Sequence, residues 1–447
     1  ALRAVHEVIW GLFFINVIGL NPLSAILAIA IPFGAIIAKV FSEILDESPR
    51  QPLNALLNSG VSAPKAFVYA LLPQAFSDFL SYSFYRFECA IRSAAVLGII
   101  GAGGLGYQIF LSLQTLKYEQ IWTLLFALFL LNGLADFWSS LLRRRIGGGV
   151  RCAGDCLDRE GVQGRASPHR GAPIRDPLVR ASLVIASLLV PLSFLYIGPD
   201  VGALFSASSA QHLGEVARSA FPPNFDALSL EGWLAGSGVT LAMSLLAVAG
   251  AGALGLALSF PAANNLSLPG SILDRGDSGV LRRVLGAGTL FLTRSLLLVA
   301  RSIPAPIWAL ILLFVLFPGV LPGAAALGLY TLGVLGRLMA EVIENLDERP
   351  LLALKSGGAG GGQVFTYGIL PLTFPRFIGY LLYRWEEAIR ATVMVGLVGA
   401  GGLGRMLVEQ LSSFDYQSVA ATLILFVAII FLVDLISAAA RRTFREV

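Results

Sequence analysis

The chain carries one stretch of sequence twice. Residues 86–106 read RFECAIRSAAVLGIIGAGGLG, and residues 384–404, 298 positions later, read RWEEAIRATVMVGLVGAGGLG, with 12 of 21 positions identical. The same offset aligns residues far outside this stretch: Glu43 with Glu341, Pro73 with Pro371, Tyr118 with Tyr416 and Asp136 with Asp434. A gap-free match of this length indicates that one structural unit is present twice. What one unit does therefore decides what the chain does.

The composition places this unit in a membrane. The chain is 56% hydrophobic and 13% charged, whereas a soluble domain normally carries about 25% charged residues. Crossing a bilayer takes about 20 apolar residues, and four stretches are clearly that long: 120–142, 180–198, 236–260 and 418–439. These features predict an all-α, polytopic membrane protein.

About ten membrane spans are predicted in the chain. The second repeat has six: 180–198, 236–260, 304–319, 322–340, 368–399 and 418–440. The first repeat has counterparts of the last four: 5–20, 22–41, 68–100 and 119–142. The amphipathic segment 282–300 is expected at the membrane surface. Either the first repeat is incomplete at its amino terminus, which would make twelve spans in all, or it is truly shorter.

The charges divide the chain into three parts. Arginines cluster after residue 142 and near the end of the chain, which the positive-inside rule assigns to the cytoplasm. With an even number of spans in a complete repeat, the two repeats lie parallel in the membrane. We therefore predict a first repeat at 1–142, a cytoplasmic linker at 143–179 that acts as a tether, and a second repeat at 180–447.

Several classes of function are not expected. The net charge is +4, but no basic tract is interleaved with aromatic residues, so nucleic-acid binding is not predicted. Cys89, Cys152 and Cys156 are too few for a disulfide framework, and the C-x3-C of Cys152 and Cys156 has no second pair nearby. The three histidines are scattered. No metal site and no cofactor are predicted.

Each copy of the repeated stretch ends in a glycine motif, Gly-Ala-Gly-Gly-Leu-Gly. It fits G-x-G-x-x-G, but a dinucleotide site needs a preceding strand and an acidic residue about 20 positions on. Here an apolar span precedes the motif, and 120–132 contains no acid. We interpret the glycines as close-packed turns at the outer end of the fifth span. They are Gly101, Gly103, Gly104 and Gly106, and Gly399, Gly401, Gly402 and Gly404.

A second repeated stretch lies between the fourth and fifth spans. The first copy, 52–60, reads PLNALLNSG, and the second, 350–358, reads PLLALKSGG; Leu-Pro follows later in both. Both copies are short, flanked by acidic residues and cytoplasmic by topology. They are either ordinary loops or short helices on which a soluble partner docks. Two equivalent docking helices would imply a two-fold partner.

Charged residues interrupt the fifth span of both copies: Arg86, Glu88 and Arg92, and Arg384, Glu386 and Arg390. Ions inside a membrane cost on the order of several kcal/mol unless they are paired or face a water-filled cavity. Each Glu can pair with the Arg four residues later. The remaining arginines, Arg86 and Arg384, could attract an anionic substrate, because a guanidinium suits phosphate-like oxyanions. The alternative is a structural ion pair near the membrane interface.

These three features, in this order, resemble the permease subunit of bacterial ABC importers with the methionine-importer-type membrane fold. That family has a cytoplasmic coupling helix with the pattern E-A-A-x3-G-x9-I-x-L-P. In this chain Asn54 and Leu352 replace the leading Glu, whereas the Ala that follows it, the Gly and the closing Leu-Pro are present in both copies. The resemblance assigns ATPase coupling to Asn54, Ala55, Gly60, Pro73, Leu352, Ala353, Gly358 and Pro371.

Within that family the chain is most similar to phosphonate-importer permeases. Residues 367–371, 377–386 and 395–402 read YGILP, FIGYLLYRWE and VGLVGAGG, and 82–88 follows more loosely as YSFYRFE. Related permeases serve phosphonates, phosphite and hypophosphite. The resemblance implies two permease domains fused in tandem, in the bacterial inner membrane.

The implied function is import of phosphonate or a related phosphorus oxyanion such as phosphite. The sequence contains no G-x4-G-K-[ST], so ATP hydrolysis would fall to a separate ABC ATPase dimer, and the chain itself would not be an enzyme. A periplasmic binding protein would deliver the substrate, and lipid would surround the spans. The alternatives are a permease of the same fold for another solute, such as an amino acid, and a stand-alone secondary transporter, whose repeats are often inverted.

Overall fold

The computed structural model describes residues 5–146, 176–226, 229–267, 280–317 and 319–445. Within these ranges every regular element is a helix, and several helices are long and apolar enough to cross a membrane. The chain is therefore a polytopic α-helical membrane protein, which confirms the predicted fold class. It divides into two compact units, residues 1–215 and 216–447. Most of the predicted linker, with Cys152 and Cys156, lies outside the described residues.

The first unit opens with two helices joined at a glycine. The first helix ends where Gly19 adopts a φ of 90°, and the second begins where the Asn21 side chain accepts the Leu23 N–H at 3.0 Å. The helices of this unit are α1 (Glu7–Ile18), α2 (Pro22–Glu47), α3 (Gln51–Asn58), α4 (Ala63–Ala66), α5 (Leu72–Leu97), α6 (Gly104–Gln114), α7 (Tyr118–Ile146) and α8 (Pro177–Ile197), followed by α9 (Ala207–Ser219), which crosses the division between the units.

The second unit begins with a 33-residue helix whose amino terminus is capped by Ser229. Its helices are α10 (Leu230–Ala262), α11 (Asn264–Ser267), α12 (Val280–Ser302), α13 (Ala305–Leu316), α14 (Val320–Glu344), α15 (Glu348–Ser356), α16 (Gly361–Val364), α17 (Leu370–Val395), α18 (Gly402–Ser412) and α19 (Tyr416–Arg445).

Every helix between residues 7 and 146 has a counterpart 298 positions later. α1 corresponds to α13, α2 to α14 and α5 to α17, and the members of each of these pairs start at equivalent residues. Two π-helical turns recur as well, Phe67–Leu71 with Phe365–Ile369 and Gly98–Ala102 with Gly396–Ala400. The repeat in the sequence is thus a repeat of structure, and each candidate segment occupies the same element in both copies.

The number of membrane-spanning helices differs from the prediction. Among the described residues, seven helices are long and apolar enough to span, or eight if the bent pair Gly361–Ala400 and Gly402–Ser412 counts as one span. α1 and α13 have 12 residues each, about 18 Å at 1.5 Å per residue. That length is too short for a hydrocarbon core of about 30 Å. α5 is not among the seven, and it carries four charged residues: Asp78, Arg86, Glu88 and Arg92.

α12 is a candidate span beyond those predicted from the sequence. The sequence places 282–300 at the membrane surface, whereas Val284–Ser302 is long and apolar enough to span. Arg294 in this helix donates its Nε–H to the Ala262 carbonyl at 2.9 Å and pairs with Glu344. Because these contacts satisfy the guanidinium, its charge does not keep α12 out of the membrane.

Small residues form the core of the second unit. α10 packs against α14 and α17, and a Cβ on Gly255 would lie 3.4 Å from the Gly336 nitrogen. A Cβ on Gly252 would lie 2.2 Å from Cδ1 of Leu381 on α17. Small residues let membrane helices approach closely, because backbone packing replaces the hydrophobic drive that is absent in lipid. This contact fixes α17, the helix that bears the second charged segment.

α8 packs within the first unit, although the sequence assigns it to the second repeat. Val179 and Leu142 are fully buried in a cluster with Phe84, and Trp138 Nε1 donates to the Ser182 hydroxyl at 3.1 Å. These contacts attach the helix that opens the predicted second repeat to α5 and α7.

Candidate functional site

The first candidate coupling stretch is an exposed helix followed by a glycine turn. α3 has no buried residue, so Asn54 and Ala55 lie on the surface. The turn after it contains Gly60, whose φ is 82°, a conformation that glycine adopts without strain. A short helix and a π turn lead into α5, where Pro73 stands in the first helical turn. One whole helix is thus available to a partner.

The second stretch repeats this geometry. Asp347 begins α15 by accepting the Arg349 N–H at 3.1 Å, a cap that α3 lacks. Gly358 follows α15 with a φ of 86°, and Pro371 stands in the first turn of α17. The glycine and proline of the repeated pattern therefore occupy equivalent positions in the two structures.

α15 is anchored on one side and exposed on the other. Leu351 is fully buried with Val364 and Ile369. The next residue, Leu352, is 51% exposed, and Ala353 is exposed beside it. An exposed leucine on a short anchored helix is a suitable surface for another protein.

The two glycine motifs form sharp turns between helices. Three glycines in each motif have positive φ: Gly101, Gly103 and Gly104 at 103°, 89° and 74°, and Gly399, Gly401 and Gly402 at 99°, 92° and 72°. The fourth glycine of each motif is helical and tightly packed. A Cβ on Gly106 would lie 1.8 Å from the Ala95 carbonyl oxygen, and a Cβ on Gly404 would lie 2.8 Å from the Val393 Cα. Helices flank both motifs, so neither has the strand that a dinucleotide site requires.

Arg86 lies among aromatic side chains of α2 and α5. Its Nε–H donates to the Tyr82 hydroxyl at 2.9 Å. Its guanidinium carbon is 5.3 Å from the ring centroid of Phe33 and 5.4 Å from that of Tyr82, within the range of a cation–π interaction. These contacts fix the orientation of the guanidinium plane. The Arg86 side chain is half-buried.

Glu88 and Arg92 pair along α5, as their spacing predicts. Arg92 Nη2 lies 3.1 Å from Glu88 Oε1. The Arg92 side chain is 13% exposed and the Glu88 side chain is 6% exposed. Arg92 also approaches the Cys89 sulfur at 3.5 Å. A buried carboxylate is thereby neutralised within one helix.

The charges of the second copy pair differently. Glu386 accepts a hydrogen bond from Arg441 of α19, and Arg390 Nη1 lies 3.7 Å from Asp434 Oδ1 of the same helix. The predicted pairing of Glu386 with Arg390 is replaced by contacts between α17 and α19, because α19 brings one charge of each sign to this face. Arg384, only 5% exposed, donates to Glu387.

Sequence reasoning therefore missed the partners on α19. The only signal for them is the repeat itself, since Asp136 aligns with Asp434 and Arg143 with Arg441 at the same offset. Spacing along one helix cannot reveal a partner that is 55 residues away, as Arg441 is from Glu386.

A further buried acid was not predicted. Glu7, at the start of α1, is 9% exposed; Ser93 of α5 donates to its Oε1 at 2.8 Å, and His6 Nδ1 lies 3.2 Å from its Oε2. Among the described residues, no group of three His, Cys, Asp or Glu side chains is arranged to hold a metal ion.

Comparison with known proteins identifies the family. The family described as "Binding-protein-dependent transport system inner membrane component" matches residues 1–148 and 289–446, which is more than half of the chain and includes a segment of each copy. The chain belongs to this family. Its role as a transport permease and its multi-pass location in the bacterial inner membrane, both predicted from the sequence, are confirmed.

Several relatives of this permease carry names that refer to phosphate, phosphite or phosphonate transport. It is 27% identical to the "Phosphate-import permease protein PhnE" of Mycolicibacterium smegmatis, over 97% of this chain and 75% of that protein. It is 36% identical to the "Phosphite transport system permease protein PtxC" of Stutzerimonas stutzeri, over 52% of this chain and 78% of that protein. It is also 36% identical to the "Putative cryptic phosphonate transport system permease protein PhnE2" of Escherichia coli, over 27% of this chain and 98% of that protein.

One solved structure is similar at a lower level. An inward-facing MetNI methionine ABC transporter aligns with a TM-score of 0.42 and 19% identity, over 48% of this permease and 99% of that chain. This likeness is too weak to carry an argument about substrate or conformation.

Proposed function

We propose that this permease belongs to an ABC importer that moves phosphonate or a related phosphorus oxyanion, such as phosphite or phosphate, into the cell. The observation that carries the proposal is the length of the similarity to a phosphate-import permease, which runs over 97% of the chain. Relatives named for phosphite and phosphonate transport share the same chemical class of substrate. The substrate class follows from this agreement and not from the fold, since one fold serves many functions.

An ABC ATPase dimer is the proposed source of energy, with one subunit docked on α3 and the other on α15. Both helices are short, repeated and largely exposed, and the sequence contains no P-loop of its own. A substrate-binding protein would act on the opposite face, in keeping with the family description. ATP-driven closure of the ATPase would then shift the permease between inward-open and outward-open populations.

The two permease domains are proposed to be residues 1–142 and 180–447, joined by the linker at 143–179. In this proposal the charged segment of each domain, on α5 in the first and on α17 in the second, is a candidate contact for the anion. The pairing of Glu386 with Arg441 and of Arg390 with Asp434 supports a structural role for those four residues. Arg86 and Arg384 are then the candidates for attracting the substrate.

Reconstitution tests the proposal. The permease is purified with its ATPase and binding protein and placed in proteoliposomes, and uptake of phosphite, methylphosphonate, inorganic phosphate and methionine is measured with and without ATP. We expect ATP-dependent uptake of at least one phosphorus oxyanion and none of methionine.

Two results would contradict the proposal. Uptake of methionine alone would favour the amino-acid alternative. Uptake of a phosphorus oxyanion that persists without the ATPase and collapses with the ion gradient would indicate a secondary transporter. The matched control is a complex in which only the ATPase has been inactivated, because every membrane component then stays unchanged.

A further inference from the structure

The two copies of the charged segment differ by one charge. Five pairs of positions carry the same charged residue in both copies: 86 and 384, 88 and 386, 92 and 390, 136 and 434, 143 and 441. Position 387 is Glu, but its counterpart is Cys89. With all carboxylates ionised, the charges at these positions in the second copy, Glu387 included, sum to zero. Those in the first copy sum to +1.

Glu387 neutralises the arginine of the second copy. The Arg384 side chain is 6% exposed and donates through Nη1 to the Glu387 carboxylate. Its guanidinium carbon also lies 5.5 Å from the ring centroid of Tyr330. An incoming anion would have to displace a carboxylate that already bonds this buried cation, so Arg384 is poorly suited to transient binding.

Arg86 has no carboxylate partner in the described part of the chain. Its Nε–H is used by Tyr82, whereas its two terminal nitrogens donate to no described residue. The aromatic rings of Phe33 and Tyr82 contact the guanidinium without supplying a negative charge. The terminal edge of the guanidinium, with its pair of parallel N–H donors, is therefore available to a ligand.

The nearby buried carboxylates are engaged elsewhere. Glu88 is paired with Arg92. Glu7 accepts a hydrogen bond from Ser93, and Ser93 lies about 10 Å from Arg86 along α5 at 1.5 Å per residue. Neither of these carboxylates therefore supplies a negative charge to Arg86.

The geometry points to Arg86 as the group that binds the substrate oxyanion, with a neutral counterpart in the second repeat. This inference rests on the proposed function and narrows it to one asymmetric binding position. Two oxygens of a tetrahedral phosphorus oxyanion can accept from the two terminal nitrogens of one guanidinium. An unpaired cation within a membrane is unfavourable, and a bound anion relieves that cost during passage.

Changing Cys89 tests the inference. Cys89→Glu places a carboxylate three residues after Arg86, as Glu387 stands after Arg384. We expect uptake of phosphite and methylphosphonate at subsaturating concentration to fall roughly tenfold or more, as for loss of a hydrogen bond to a charged group. Cys89→Gln adds the same bulk without charge and should remain within about twofold of wild type.

The second copy provides a matched control. Glu387→Gln removes the carboxylate beside Arg384 and is expected to leave uptake undiminished. All variants are measured in proteoliposomes that contain the full complex, normalised to inserted permease, with the basal ATPase rate as a check on assembly. If Cys89→Glu fails to insert, Arg86→Gln and Arg86→Lys make the same test, with uptake lost for Gln and partly retained for Lys.

The outcomes separate the inference from the proposed function. Wild-type uptake by Cys89→Glu or Arg86→Gln would overturn the inference and leave the proposed function standing. Equal losses for Cys89→Glu and Cys89→Gln, or for Cys89→Glu and Glu387→Gln, would also overturn it. A wild-type complex that takes up none of phosphite, methylphosphonate and phosphate would overturn the proposed function, and the inference with it.

Discussion

At the residue scale, Gly106 shows how closely the helix after the glycine turn packs on the helix before it. A Cβ at this position would lie 1.8 Å from the Ala95 carbonyl oxygen. We predict that Gly106→Ala destabilises the protein by about 1–3 kcal/mol, the usual cost of overpacking. The measurement is the apparent thermal unfolding midpoint in detergent.

Gly133→Ala is the matched control, since a Cβ on that helical glycine meets no atom within 4 Å. It should leave the midpoint unchanged or raise it slightly, because alanine favours helix by up to about 1 kcal/mol. Equal midpoints for the two variants would show that the approach of α6 to α5 is looser than the structure indicates.

Residue pairs along one helix were predictable from the sequence, and pairs between helices were not. The spacing of Glu88 and Arg92 predicts their ion pair correctly. The same spacing fails for Glu386 and Arg390, whose partners come from α19. Packing between helices decides which of several possible charges meet, and a single sequence carries little information about that packing.

At the scale of elements, α15 offers a test that separates anchoring from docking. Leu351 is fully buried against Val364 and Ile369, so Leu351→Ala should cost about 2–5 kcal/mol of stability, if the cavity does not collapse. Leu352 is 51% exposed, so Leu352→Ala should change stability by less than about 0.5 kcal/mol.

Capture of the partner ATPase distinguishes the two roles. Leu352→Ala is expected to weaken retention of the ATPase on the immobilised permease, while its unfolding midpoint stays at the wild-type value. If Leu352→Ala retains the ATPase as well as wild type does, the exposed leucine is not part of the docking surface.

The order and bounds of the elements follow closely from the repeat, but their relation to the bilayer does not. The apolar runs at 5–20 and 304–319 predict spans, and the structure has helices of only 12 residues there. Gly19 and Gly319 interrupt these runs with positive φ. Hydrophobicity alone cannot show that such a run is divided between a short helix and a glycine turn, because both parts are apolar.

At the scale of the whole molecule, fusion allows two related domains to diverge. A homodimer must carry the same residue at equivalent positions, whereas this chain has Cys89 in one copy and Glu387 in the other. The proposed coupling helices differ in the same way, since α15 is capped and anchored and α3 is neither. Tandem fusion thus permits the proposed single binding position and the two unequal docking helices that we propose in one permease.

The fusion also predicts a stoichiometry. If α3 and α15 each dock one ATPase subunit, one permease chain should bind two ATPase subunits, because a two-fold partner needs two equivalent surfaces. Light scattering on the purified complex, or native mass spectrometry, measures this ratio directly. Replacing Leu352 and Ala353 by Asp disrupts only the α15 surface and provides the comparison. That variant should lose the second ATPase subunit more readily than wild type does. A complex with two permease chains for each ATPase pair would contradict the prediction, since each chain would then supply only one working coupling helix.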